Sequence, residues 1–132
     1  MYRRDLLMAE IQKLSQALAK IMGLQQQEKL EEAGKSIDET LENDFGILYA
    51  DLIASDLTDL EIFLTEKNFP SEKLDFLSQF LYLKFDSANA VPDNRTLAEK
   101  LLFIYQILEK KHHVINMINI DRQRKMQKYI KS

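Results

Sequence analysis

The residues of this chain best suited to metal chemistry are two adjacent histidines, His112 and His113. On a helix their side chains diverge by about 100°, and on a strand they point to opposite faces, so a regular backbone cannot aim both at one ion. Glu109 and His112 have the Glu-x-x-His spacing of di-iron helical bundles. A second copy of that motif is missing, because Lys110 stands where the glutamate for His113 would be needed. We therefore expect no metal site.

Carboxylate pairs at helical spacing, such as Asp38 with Glu42 and Glu28 with Glu32, could act as acid and base. They fall on the helix face opposite the apolar residues, whereas acid–base catalysis needs perturbed pKa values in a desolvated pocket. The isolated glycines form no phosphate-binding loop or dinucleotide fingerprint, and there is no Gly-x-Ser-x-Gly motif and no cysteine nucleophile. We expect no catalytic residues, no cofactor and no enzyme activity.

Charge is distributed unevenly along the chain, whose net charge is −3. Residues 28–66 have a local balance of −10, and residues 109–132 have a balance of +5. The candidate interaction surface is the basic end: Arg122, Arg124, Lys125 and Lys128. On a helix, positions 122 and 125 lie on one face and positions 124 and 128 on another, so the charge surrounds the helix and does not form one edge for nucleic acid. A sequence pI of about 5.4 also disfavours nucleic acid. We expect contact with the acidic helix of the same or a second subunit.

The element that organises the chain is an apolar stripe near its start, with intervals of four and three residues. Its members are Leu7, Ile11, Leu14, Leu18 and Ile21. This period predicts a helix from Arg4 to Met22, ended by Gly23 in a left-handed conformation. A coiled coil is the alternative, but the stripe lasts only about two and a half heptads, which favours packing within the domain.

Similar periodicity, with breaks at glycine, proline and capping residues, predicts the remaining elements. They are a helix over Gln26–Phe45 closed by Gly46, a short helical turn over Ile47–Ala54, helices over Asp56–Glu66 and Ser71–Phe85, a loop over Asp86–Asn94, a helix over Thr96–Lys111 begun by a capping box, an extended or kinked joint over His112–Ile120, and a last helix from Asp121 to about Tyr129. We expect Leu74, Leu77, Phe80, Leu81 and Phe85 to be buried.

Residues 29–41 resemble the second helix of a tetratricopeptide repeat, in which large and small residues recur at the spacing of Leu30, Ala33, Ile37 and Thr40. Over residues 4–45 the chain is similar to a family of small bacterial helical proteins of unknown function with a tetratricopeptide-like fold. The resemblance implies a fold and no activity.

These observations predict an all-α protein with five or six helices in antiparallel hairpins, forming a tetratricopeptide-like right-handed stack or bundle. Residues 1–132 would form a single domain with a basic C-terminal helix over 121–130. With no cysteine, no signal-peptide pattern and no membrane-spanning run, we expect a cytoplasmic protein. The predicted function is a protein-interaction or structural module with a protein partner, and a homodimer is consistent with it. The alternative is a regulator that binds nucleic acid or a small ligand.

Overall fold

The structure, a computed structural model, describes residues 2–87 and 93–131. It is all-helical, and those residues contain no strand. Seven helices are present in them: α1 (Tyr2–Gln26), α2 (Leu30–Phe45), α3 (Tyr49–Ala54), α4 (Leu57–Lys67), α5 (Ser71–Ser87), α6 (Asp93–Lys110) and α7 (Met117–Lys131). The predicted count of five or six is too low, because the short turn before α4 forms a helix of its own and α7 is a full element.

The predicted boundary between the first two helices is wrong. Gly23 does not end α1, which continues to Gln26. The chain reverses at Glu28, whose φ of 60° is left-handed, and the Lys29 N–H donates to the Leu24 carbonyl over 2.9 Å. Leu14 and Ile21 of the predicted stripe are buried, while Leu7, Ile11 and Leu18 are half-buried. The stripe therefore packs against the core from Leu14 through Leu18 to Ile21.

Helix α5 lies at the centre of the structure. Leu77, Phe80 and Leu81 are fully buried, and Leu74 and Phe85 nearly so, as the sequence predicts. The helix packs directly against α1, α2 and α6. Its other side meets α7 through side chains, including an edge-to-face contact of Phe85 with Tyr129 at 5.0 Å. One helix thus buries apolar surface against four others.

The directions of the helices follow from the pairs in contact. Glu10 pairs with Lys73, and Gln25 donates to the Leu83 carbonyl over 3.3 Å, so α1 and α5 run parallel. Asp75 accepts from Asn119 and Phe85 meets Tyr129, so α5 and α7 also run parallel. In contrast, α2 is antiparallel to α5, since Asp38 pairs with Lys84 while Phe45 lies against Phe80 and Lys73. Helices α1, α5 and α7 therefore point one way and α2 points the other way.

A buried lysine holds the junction between α3 and α4 against α6. Lys100 of α6 is only 2% exposed, and its ammonium group donates to the carbonyl and hydroxyl of Ser55. Burial lowers the pKa of Lys100, although the charges of Asp56, Asp59 and Glu99 oppose the shift. Asp56 caps α4 with a complete capping box, so the predicted start of this helix is confirmed.

The ends of α5, α6 and α7 differ from the predicted boundaries. The predicted loop Asp86–Asn94 is wrong at both ends, because α5 continues through Ser87 and α6 already begins at Asp93. Residues 88–92 lie outside the described residues. Thr96 is consequently inside α6, not at its start. The predicted joint over His112–Ile120 is confirmed only as far as Asn116. The Asn116 side chain accepts a hydrogen bond from the Asn119 N–H over 2.8 Å. Helix α7 therefore begins at Met117, upstream of the predicted Asp121.

Two glycines should respond oppositely to a methyl group. Gly46 ends α2 with a φ of 69°, so Gly46→Ala should lower the free energy of unfolding by about 1–2 kcal/mol. Gly23 lies inside α1 with open space around its Cβ position, so Gly23→Ala should raise the same quantity by about 0.5–1 kcal/mol. Urea denaturation monitored by circular dichroism measures both changes. A loss of stability in Gly23→Ala would show that α1 ends where the sequence suggests.

The role of Lys100 is tested by truncation. Lys100→Ala removes charge-assisted hydrogen bonds to Ser55 and leaves a buried gap, so we expect a loss of about 1.5–3 kcal/mol in the free energy of unfolding. Lys110→Ala, an exposed position on the same helix, is the matched control and should change it by less than about 0.5 kcal/mol. Equal effects of the two substitutions in urea denaturation would contradict the assigned role.

Candidate interaction surface

The structure divides the four predicted surface residues between two faces of α7. Arg122 and Lys125 face α5, whereas Arg124 and Lys128 are exposed on the outer side. This division follows the helical period that the sequence indicates. The ion pair made by Lys125 is with Asp86 of α5, at 3.3 Å, and not with the acidic helix α2. Within the described residues, Arg124 and Lys128 form no ion pair.

Tyr82 of α5 contacts both of the cations that face α5, Arg122 and Lys125. The guanidinium carbon of Arg122 lies 4.1 Å from the centre of the Tyr82 ring, which is the stacked arrangement that an aromatic face favours for arginine. Lys125 donates to the Tyr82 hydroxyl over 3.0 Å. This hydrogen bond, with a smaller contribution from Asp86, raises the pKa of Lys125. Both cations thus contact α5.

Two polar atoms near Tyr82 are buried without a hydrogen-bond partner. The Tyr105 hydroxyl and Nη1 of Arg122 meet no hydrogen-bond partner in the residues that the structure describes. Burial raises the pKa of Tyr105 to about 12, and the nearby positive charge of Arg122 offsets the shift only in part. Tyr105 is 1% exposed, so no reactant in solution reaches its hydroxyl without movement of the surrounding helices.

An open cleft of about 330 Å³ lies between α5 and the start of α7. Asp75 is fixed in it by hydrogen bonds from Gln79 and Asn119, each 3.0 Å long. The other lining residues are Asn116, Met117, Ile118 and Arg122. Asp75 is the one carboxylate that lines this cleft, and it already accepts hydrogen bonds from two amides. The cleft is therefore better suited to contact with another molecule than to chemistry on it.

Large apolar side chains are exposed beside this cleft. Ile115, Met117 and Ile118 are 65%, 71% and 62% exposed. They follow each other closely in sequence, at the point where the joint enters α7. The sequence does not predict their exposure, because Ile and Met in an extended joint could equally have faced the core of the protein. The start of α7 therefore presents an apolar patch next to a basic helix face.

The acidic residues of α2 lie mainly on its outer side. Glu31, Glu32, Glu39 and Glu42 are exposed, opposite the buried Ile37. Asp38, at the edge of that face, pairs with Lys84 at 2.9 Å. The predicted solvated face is thus in place.

His112 and His113 lie in the joint after α6, where His113 has a φ of 58°. In the ranges 2–87 and 93–131, no three acidic or histidine side chains come together as a metal ion would require. Among the same residues, no helix combines the length and hydrophobicity that a bilayer crossing requires.

The raised pKa of Tyr105 predicts a stability change at alkaline pH. The unfolded tyrosine ionises near pH 10 and the folded one near pH 12, so the folded state binds more protons between these values. Its contribution to stability is complete below about pH 10 and falls by about 2–3 kcal/mol as the pH rises to 12.

Tyr105→Phe should lose this pH dependence, because the substitution removes the ionising hydroxyl. Urea denaturation of both proteins from pH 8 to 12 measures the difference. Parallel pH profiles would contradict the assignment.

Comparison with known proteins gave no relative. No family model matches the chain, and neither a curated protein nor a solved structure matches it.

Proposed function

We propose that this protein is a non-catalytic protein-interaction or structural module. The observation that carries the proposal is the apolar patch of Ile115, Met117 and Ile118 beside the basic outer face of α7. Exposed apolar side chains that are contiguous and bordered by charge are typical of protein-binding surfaces. Methionine suits such a surface because its flexible, polarisable side chain adapts to different partners.

A tetratricopeptide-like stack is our proposed description of the helix arrangement. It is supported by the parallel direction of α1, α5 and α7 and by the antiparallel packing of α2 against α5. In a stack of helical hairpins, each hairpin contacts its neighbours in this alternating way. Helices α3 and α4 would then be an insertion between the first and second hairpins. Membership in the small bacterial family of unknown function remains part of the same proposal.

A non-catalytic role is supported by the engagement of the chemically capable groups. Arg122 and Lys125 are held on Tyr82, and Asp75 accepts from two amides. These contacts hold α7 against α5. We also propose a cytoplasmic location, which the absence of cysteine from the sequence supports.

The proposed partner is a protein, and a second copy of the chain is among the candidates. A nucleic acid is the competing partner for Arg124 and Lys128, which are exposed. A small ligand is the other alternative, and a cleft of about 280 Å³ between α4 and α6 would receive it. That cleft has apolar walls, formed by Leu64, Leu74, Phe103 and Ile107, and a polar rim that includes Lys111 and His112.

The apolar patch can be tested by substitution. A variant carrying Ile115→Ser, Met117→Ser and Ile118→Ser should lose at least about tenfold of its affinity for a partner protein, because contacts at the apolar centre of an interface contribute most to binding. Immobilised protein and its variants would be compared for the same retained species in extract from the native cell, with affinity then measured on the purified partner.

The matched control carries Leu57→Ser and Ile62→Ser, which are exposed apolar positions on α4, and should bind as the unaltered protein does. Retention of the same partner by the patch variant would contradict the proposal. Retention on heparin that is lost with Arg124→Gln and Lys128→Gln would instead favour nucleic acid.

A further inference from the structure

Two oppositely charged strips lie on the outer faces of α2 and α7. The acidic strip contains Glu32, Lys35, Glu39 and Glu42, and the basic strip contains Asp121, Arg124, Lys128 and Lys131. Within each strip the residues follow at intervals of three and four, so they share one side of their helix. All are exposed. None forms an ion pair within the described ranges.

The two strips point away from each other. Lys73, Phe80 and Lys84 of α5 contact α2, while Asp75, Tyr82 and Asp86 contact α7. The second set is displaced from the first by two residues, which is about 200° around a helix. Helices α2 and α7 therefore lie on opposite sides of α5. Each strip faces outward, opposite buried Ile37 on α2 and buried Met126 on α7. One chain cannot join its own strips.

We infer that the occupant of the basic strip is the acidic strip of a second copy of this chain, in head-to-tail association. The inference deepens the proposed function and rests on it, since it names the partner of the same surface. An interface between different patches leaves an unused patch at each end, so further copies can add. A closed two-fold dimer would need both strips on one side of the subunit.

Each strip contains one residue of the minority sign, and these two residues indicate the register. If Lys35 lies opposite Asp121 in an antiparallel pair, then Glu32 lies opposite Arg124. The two pairs can form together because residues 32 and 35 of α2 have the same interval as residues 124 and 121 of α7. Every facing pair then has opposite charges, which favours this register over shifted ones.

The exposed apolar residues favour the same orientation. Leu48 is 50% exposed just beyond the C-terminal end of α2. In the antiparallel pair this end of α2 lies at the start of the partner's α7, where the apolar patch is located. The proposed interface therefore has apolar contacts at one end and ion pairs along the rest of the two helices. Because exposed ion pairs are individually weak and screened by salt, the association should be concentration-dependent and should weaken as salt increases.

Charge reversal tests the pairing. The acidic-strip variant carries Glu32→Lys and Glu39→Lys, and the basic-strip variant carries Arg124→Glu and Lys128→Glu. Sedimentation velocity in about 50 mM salt should show that each variant alone associates at least about fivefold more weakly than the unaltered chain. An equimolar mixture of the two should recover association, because each reversed strip then meets a complementary one.

Two control proteins keep the charge changes and move them off the strips. Glu61→Lys with Glu66→Lys and Arg4→Glu with Lys20→Glu alter exposed positions and should associate as the unaltered chain does. The weight-average mass of the unaltered chain should rise past that of two copies with increasing concentration.

A mass that stops at two copies would overturn the head-to-tail arrangement. A chain that stays monomeric at all concentrations, or a mixture that does not recover association, would overturn self-association. The protein-interaction proposal would survive either result if the Ile115, Met117 and Ile118 substitutions still abolished binding of another protein.

Discussion

The fold depends on the burial of α5 on several sides at once. Its leucines and phenylalanines face α1, α2 and α6, and Phe85 reaches Tyr129 of α7. Each such side chain, when fully buried, contributes about 1.5–3 kcal/mol from removal of apolar surface from water. A helix with this much apolar surface cannot form the edge of a domain. Its neighbours are therefore required to surround it, and the hairpins before and after it in the chain supply them.

Polar contacts on the flanks of α5 fix how those neighbours are oriented. On one side Lys84 pairs with Asp38, and on the other Tyr82 receives Arg122 and Lys125. Apolar packing alone would tolerate a shift or rotation of α2 or α7, whereas a directed hydrogen bond or a stacked guanidinium does not. These contacts use the inward-facing charges. The charges that face outward remain exposed, so the acidic segment and the basic end of the sequence become separate surfaces.

The sequence predicted the buried residues better than the helix ends. Leu77 and Leu81 were placed correctly because helical period alone determines which residues share a face. Gly23 was misplaced as a terminator, since glycine is tolerated inside a helix at a cost of about 1 kcal/mol when the flanking residues favour the helix. Asn116 was missed as the cap of α7, because an asparagine beside β-branched residues is equally typical of an extended segment.

In the candidate surface, too, local features were predictable from the sequence and contacts between distant residues were not. Sequence alone determined the helical class, the apolar faces and the division of the basic residues between two sides of the last helix, because all of these follow from local period and composition. Tertiary structure decided that Tyr82 engages Arg122 and Lys125, that Arg124 and Lys128 stay outside, and that α2 and α7 lie on opposite sides of α5. These facts depend on contacts between residues about 40 or more positions apart. No local pattern determines such contacts, since they arise only when the burial of α5 brings distant helices together.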